Sequence, residues 1–343
     1  MPQPGPGKAH RCGITLKDLF RRFPNDAVAE EWFIQNRWPN GIACPRNGCG
    51  SMNVLTKTKH KNMRFQCRDC RKFFSVRTGM PMEHSKLGLQ TWLIAMYLQS
   101  TSLKGVSSMK LHRDLGITQK SAWFLAHRVR EMWRRNDAKD DVFLGPIEAD
   151  EAFIGGKVGK MSASRRKKFK GLGPFANKTA VAGVKDRHTK QVRVEVFDIV
   201  TGDALRRFVG RHREDGTPLY TDESAAYEHL ENHDAVKHHV REYVRGQIHT
   251  NGIESFWSML KRGYVGTYHR MSFEHLPRYV TEFEARHNCR PYDTEEQLAL
   301  MVRGAEGRVL TYADLVEHGE RAVRIAQGWT PPVHWRHRRQ EPT

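Results

Sequence analysis

Three acids and four cysteines stand where such side chains do chemistry: Asp150, Asp222 and Glu254, and Cys44, Cys49, Cys67 and Cys70. Asp150 lies inside a strand candidate, Asp222 ends a second, and Glu254 opens a helix. Acids at those places can converge at one edge of a sheet. Carboxylates there can bridge two divalent ions about 3.5–4 Å apart, which activate a water or a 3′-hydroxyl and stabilise the leaving oxygen of an in-line displacement. Mg2+ suits such a site, with Mn2+ as the alternative, because it takes oxygen ligands and keeps positions open for phosphate oxygens. Lys261 follows Glu254 by nearly two helical turns, so both share a face, with Asn251 about a turn earlier. By spacing alone, a solvated helix with a weak ion pair is the better explanation of this face.

The cysteines form two close pairs, Cys44-Pro-Arg-Asn-Gly-Cys49 and Cys67-Arg-Asp-Cys70. Each pair can supply two thiolates from a tight turn, and a hairpin would join them into a tetrahedral zinc site. One structural Zn2+ is expected, supplying much of the folding free energy of a module too small to bury a core. Cys12 and Cys289 lack such partners and read as ordinary thiols.

Residues 15–37 read as one or two short helices broken at Pro24, and the cysteine module follows. From Leu87 to Leu98, apolar residues recur at helical spacing. Residues 104–135 read as two helices around Leu115-Gly116-Ile117, the second capped by Thr118. Such a pair resembles a helix-turn-helix, and Lys120, Arg128 and Arg130 on its second helix are candidate DNA contacts. Plain packing would give the same pattern. After a polar linker the chain alternates between strand and helix. Strands are expected over 146–154, 179–184, 191–200, 218–221 and 235–240, and helices over 203–212 and from Ile253 to about Arg262. Between Gly155 and Lys178 lie eight Lys/Arg and no acid. Arg165, Arg166, Lys167 and Lys168 make this stretch a candidate DNA clamp beside Asp150, as does Arg262 on the Glu254 helix. His249, just before that helix, could touch phosphate or metal. A last helix is expected over 312–326, before a basic tail.

The charge agrees with a polyanionic partner. The 57 Lys+Arg against 38 Asp+Glu give a formal net charge of +19. Residues 1–140 hold 25 basic and 10 acidic side chains, a net of +15, leaving +4 for the rest. Counterion release makes nucleic acid the commonest ligand of such a surface. No stretch approaches the roughly 18 consecutive apolar residues of a membrane span, and no secretory signal is visible, so a cytoplasmic protein is expected.

In order along the chain, four segments carry a family resemblance. They are Phe65-Gln-Cys-Arg-Asp-Cys-Arg-Lys-Phe-Phe-Ser-Val-Arg-Thr-Gly, Asp150-Glu-Ala-Phe-Ile-Gly-Gly-Lys, Tyr220-Thr-Asp-Glu-Ser-Ala-Ala-Tyr, and His249-Thr-Asn-Gly-Ile-Glu-Ser-Phe-Trp-Ser-Met-Leu-Lys-Arg. The chain resembles the insertion-sequence transposases that join an N-terminal zinc ribbon to a DDE domain of RNase H-like fold, over roughly residues 15–290. The resemblance implies a multidomain α/β protein. Its parts would be an N-terminal helical segment (1–37), a zinc ribbon (38–80), helix-turn-helix-like DNA-binding helices (85–136), an RNase H-like mixed-sheet catalytic domain (142–300) and a C-terminal helix with basic tail (301–343). It makes Glu254 the third acid and Lys261 its companion; some members are read with Asn there, which would be Asn251. It further implies cutting at insertion-sequence ends, joining of 3′-hydroxyls to target DNA, double-stranded DNA as partner, a homodimer or larger synaptic complex, and a place at a prokaryotic nucleoid.

Overall fold

A computed structural model of the protein describes residues 13–134, 142–156, 162–167, 178–197, 200–222, 227, 230–236 and 249–316. Helices α1 (Leu16–Arg22) and α2 (Asp26–Arg37) flank Pro24. A capping box between Thr15 and Asp18 starts the first, and the Asn25 side chain caps the second. Three short antiparallel strands follow, β1 (Val54–Leu55), β2 (Phe65–Cys67) and β3 (Phe73–Phe74). They form the ribbon that carries the four cysteines.

Helix α3 (Leu89–Thr101) is apolar nearly all round, and it is buried. Helices α4 (Ser108–Leu115) and α5 (Gln119–Met132) meet at Gly116, whose φ of 62° lies in the left-handed region that glycine tolerates. Thr118 accepts the Ser121 N–H, as the sequence predicts.

The second half is built on strands β4 (Ile147–Ile154), β5 (Thr179–Asp186) and β6 (Val192–Phe197), with a short helix α6 (Ala163–Lys167) between β4 and β5. Helix α7 (Gly202–His212) and strands β7 (Leu219–Asp222) and β8 (His233–Val236) follow. The sheet order is β6-β5-β4-β7-β8. The first three strands are antiparallel, and β4, β7 and β8 are parallel. This mixed five-stranded sheet is consistent with an RNase H-like domain. Helices α8 (Asn251–Gly263) and α9 (Leu276–Asn288) cover one face, and α7 covers the other.

Neither α9 nor helix α10 (Thr294–Gly304) is among the helices expected from the sequence, and α10 is the more distant surprise. It leaves the sheet domain and packs its Leu298, Met301 and Val302 into the core shared by the ribbon and α1–α5. The last expected helix is described over 312–316, and the remainder, with the basic tail, lies outside the described residues.

Two expected DNA contacts are corrected here. Arg128 is buried, donates to the Glu83 carbonyl and stacks 4.6 Å from the Phe124 ring. Arg130 is 2% exposed; its Nε donates to Glu282 Oε2 at 2.7 Å and its guanidinium lies 4.0 Å from the Tyr279 ring. Both point into the seam where α5 meets α3 and α9. Arginine suits this place because its planar fork can stack on a ring and hydrogen-bond at once. Lys120 stays exposed near the α5 N-terminus, its Nζ 4.4 Å from the Tyr312 ring.

Removing one partner of a buried ion pair strands the other charge, at a cost of about 3–5 kcal/mol. Arg130→Ala should therefore lower the urea midpoint sharply. The double variant Arg130→Met/Glu282→Leu should lose much less than the two single losses combined.

Candidate metal centres

The four cysteine sulfurs lie within 4.8 Å of one another. Cys44 Sγ is 3.7 Å from Cys70 Sγ, and Cys49 Sγ is 3.7 Å from Cys67 Sγ. A tetrahedron with Zn–S bonds of about 2.3 Å has edges of roughly 3.8 Å, so these sulfurs already stand at zinc spacing. The knuckles are shaped by backbone hydrogen bonds, Cys49 N to Arg46 O and Cys67 N to Lys72 O. The thiols differ in proton affinity. Burial pushes Cys44 up to about 12, while the Cys70 backbone N–H draws Cys67 down to about 7. The set fits zinc, whose charge would hold all four as thiolates.

The acids lie at the other end of the molecule's sequence logic, on the sheet. Parallel pairing sets Glu148 against Tyr220. Continued by two residues, that register puts Asp150 level with Asp222. Asp150, Glu151 and Asp222 each offer a carboxylate oxygen within 4.8 Å of the others. Glu151 is the residue that sequence reasoning missed. Neighbouring strand residues point to opposite faces, so the residue after Asp150 gave no reason to expect it beside Asp222. Tyr227, 1% exposed, donates its hydroxyl to Glu151 Oε1 at 2.7 Å. Burial and the Glu151 carboxylate hold that phenol far above its ordinary range, so it remains a donor.

Glu254 is not part of that tight trio. It lines the same cavity as Asp150 and Asp222, a space of about 990 Å³. Its Oε1 accepts from the Thr250 hydroxyl at 2.9 Å. Ser258 and Lys261, four and seven residues on, line the cavity too, as does the exposed Arg262. Asn251 is exposed and is not among the lining residues.

What seats this helix is Glu148, on the same face of β4 as Asp150. Thr250 makes no side-chain cap, since its hydroxyl is turned to Glu254. Glu148 Oε2 instead accepts the Ile253 N–H at 2.8 Å, while Arg187 Nε donates to Oε1 at 2.9 Å. A side chain at Gly252 would put its Cβ 2.5 Å from Glu148 Oε2, and one at Gly183 would meet Trp257 at 2.8 Å. Two glycines thus let α8 press against the sheet beside Asp150. His249 belongs to this support. Its Nδ1 is 3.0 Å from Arg187 Nη2, and the residue is not among those lining the cavity.

The crowding has an electrostatic cost. Burial first, then the Asp222 charge, raises Asp150 to about 7. Burial also raises Glu151, with the Tyr227 hydrogen bond opposing it. Hard oxygen ligands this close, reluctant to lose their protons, are the donor set a divalent cation such as Mg2+ relieves.

The family described as the ISXO2-like transposase domain matches residues 142–288, and the transposase zinc-ribbon domain matches residues 24–73. Together they span more than half of the chain. The chain belongs to the IS1595/ISXO2-like transposases. It is also similar to a Halobacterium salinarum protein described as an uncharacterized protein in transposable element ISH50. The two are 28% identical over 281 residues, 78% of this chain and 92% of that one. The ribbon match ends at the β3 strand that closes the cysteine hairpin, and the transposase-domain match runs from just before β4 through α9.

The candidate DNA clamp falls partly within the described residues. Arg166 and Lys167 of α6 are exposed, Arg165 lies on the same helix, and Lys168 lies outside the described residues. No described helix is long and apolar enough to cross a membrane.

Chelation should remove one zinc per chain and melt residues 41–78, seen as lost amide protection there; an intact ribbon after metal loss would contradict the site. The acid cluster makes a separate pH prediction. Asp150 is raised from 3.8 to about 7, so its contribution to stability is present at low pH and lost as pH climbs through that window. Without divalent ions, the melting midpoint of Asp150→Asn relative to the unsubstituted chain should rise across the same window. Added Mg2+ should stabilise the unsubstituted chain more above the window than below it.

Proposed function

We propose that this chain is an active DNA transposase that cuts at insertion-sequence ends and joins the freed 3′-hydroxyls to target DNA. The observation that carries this reading is the single cavity lined by Asp150, Asp222, Glu254 and Lys261. A pair of Mg2+ or Mn2+ ions, when bound, would supply nucleophile activation and charge neutralisation at phosphorus. Asp150 and Asp222 would share those ions, with Glu151 beside them. Glu254 is favoured over Asn251 as the third ligand, because it lines the cavity and an anion holds magnesium better than an amide.

Lys261 and Arg262 would grip nonbridging phosphate oxygens, and the Thr250 hydroxyl would orient Glu254. In the first step a water breaks a phosphodiester at the transposon end, leaving a 3′-hydroxyl and a 5′-phosphate. In the second, that hydroxyl attacks a target phosphodiester, forming one bond and releasing one target 3′-hydroxyl. The ribbon over 38–80 and the helices over 85–136, with Lys120 exposed, would recognise the ends. Residues 142–300 would do the chemistry, with the α6 cations beside them. Two ends must be joined, so a homodimer or larger assembly at the nucleoid is proposed.

The test is a supercoiled plasmid carrying the DNA that flanks this protein's own coding sequence, incubated with Mg2+. Strand joining supports the reading, cleavage alone points to a nuclease, and binding alone to a regulator. Asp222→Asn should reduce both cutting and joining at least a thousandfold, roughly the loss of one essential catalytic group, with DNA affinity within a few fold. A fully active Asp222→Asn chain would rule out the assignment.

A further inference from the structure

One lining residue of the acidic cavity comes from outside the transposase domain. Lys104 lies in the turn between α3 and α4, in the helical half of the chain, yet it shares the cavity with Asp150, Glu254 and Lys261. We propose that Lys104 is a substrate-contacting residue, which holds a backbone phosphate of the DNA strand lying in this cavity. The proposal rests on the DNA-cutting reading above and extends it to a residue of the helix pair.

The turn is fixed rather than loosely placed. The Ser102 carbonyl accepts both the Gly105 N–H, at 3.0 Å, and the Arg286 guanidinium of α9. Gly105 has a φ of 82°, and a Cβ there would overlap the Tyr268 hydroxyl. A Cβ on Gly263, at the end of α8, would come within 3.0 Å of the Lys104 carbonyl. Tyr268 itself donates to Glu282, the partner of Arg130. The backbone of Lys104 is thereby clamped against the C-terminal end of the helix that carries Glu254 and Lys261.

Its side chain is exposed and makes no hydrogen bond or ion pair among the described residues. Arg262, by contrast, is tied to Ser258 Oγ at 2.8 Å. A lysine ammonium on a flexible stem is a compact point charge suited to a phosphate oxygen. Acids on one side and lysines on the other suit a polyanion, with cations between it and the acids and its remaining oxygens met by the lysines. A DNA strand has that chemistry, and a neutral ligand has not. Through Lys104, a helix pair seated on an end would deliver one of the charges that the reaction site needs.

The test compares the full chain with Lys104→Ala and Lys104→Arg, using a duplex of the DNA that flanks the coding sequence. Binding is first measured against salt concentration without divalent ions. Lys104→Ala should flatten the slope of log affinity against log salt by about one, and Lys104→Arg should restore it. With Mg2+, Lys104→Ala should cut roughly ten- to a hundredfold more slowly, as expected for a lost charge-assisted hydrogen bond, and Lys104→Arg should recover most of the loss. An unchanged slope and rate in Lys104→Ala overturns the proposal. So does an unchanged slope accompanied by a lower melting midpoint, which would make Lys104 structural. If Mg2+ elicits no cutting from any chain while the slope still changes, the transposase reaction fails and Lys104 stands as a DNA contact.

Discussion

Glu148 accepts the Ile253 N–H from inside the sheet, two residues before Asp150 on the same face of β4. That hydrogen bond does the work an N-cap side chain does elsewhere. Because the cap comes from the sheet and not from the preceding residue, the start of α8 is locked to the strand that bears the first acid. The distance from Asp150 to Glu254 is then set by the strand's pleat and one hydrogen bond, not by the loop before α8. Arg187 neutralises the buried carboxylate, and Lys185 Nζ donates to the Gly252 carbonyl at 2.9 Å. Removing Glu148 would leave the buried Ile253 N–H without its acceptor and take from Arg187 its carboxylate, though not its contact with His249, the costly side of hydrogen-bond asymmetry.

The fold brings together charges that repel. Asp150, Glu151 and Asp222 meet because a parallel register aligns β4 with β7, while Tyr227 and the Glu151 N–H, which donates to Asp150 Oδ1 at 2.7 Å, absorb part of the cost. The remaining strain is of the kind that a bound divalent cation would relieve. Carboxyls whose proton affinities are displaced this way by burial and by one another mark a candidate functional site.

The fold was legible wherever one strand or helix declared itself locally. β-branched runs announced β5 and β6, Thr118 announced the start of α5, and Gly116 the turn before it. The acids were legible as types at element boundaries, and the cysteines as two close pairs. What escaped was set by distant pairing. Glu151 joins Asp222 through sheet register, which no local period encodes. Glu148 looked like one more acid in a strand, because its partner sits more than a hundred residues away. Arg128 and Arg130 share a helix with Lys120, and only the packing of α9 and α3 decides that they turn inward. The capping box Asp293-Thr-Glu-Glu296 marks the start of helix α10 inside the stretch assigned to the catalytic domain, but nothing local says that its apolar face joins the core of the other half.

That inward turn changes what the helix pair can do. With its C-terminal half buried against α9, α5 leaves only its N-terminal end exposed, the end that a recognition helix would point at base edges. The same burial makes α5 a strut between the two halves of the chain. Arg130 bonds Glu282, Glu282 accepts from Tyr268, and Tyr268 packs against Gly105 in the turn that holds Lys104. α10, packed beside α2, α3 and α5, closes the same seam from the other side. An arrangement of buried charge, ring and glycine contacts tolerates few intermediate positions. The ribbon-and-helix half therefore docks on the sheet domain in one register, which holds the exposed N-terminal end of α5 and the acid-lined cavity at a fixed separation.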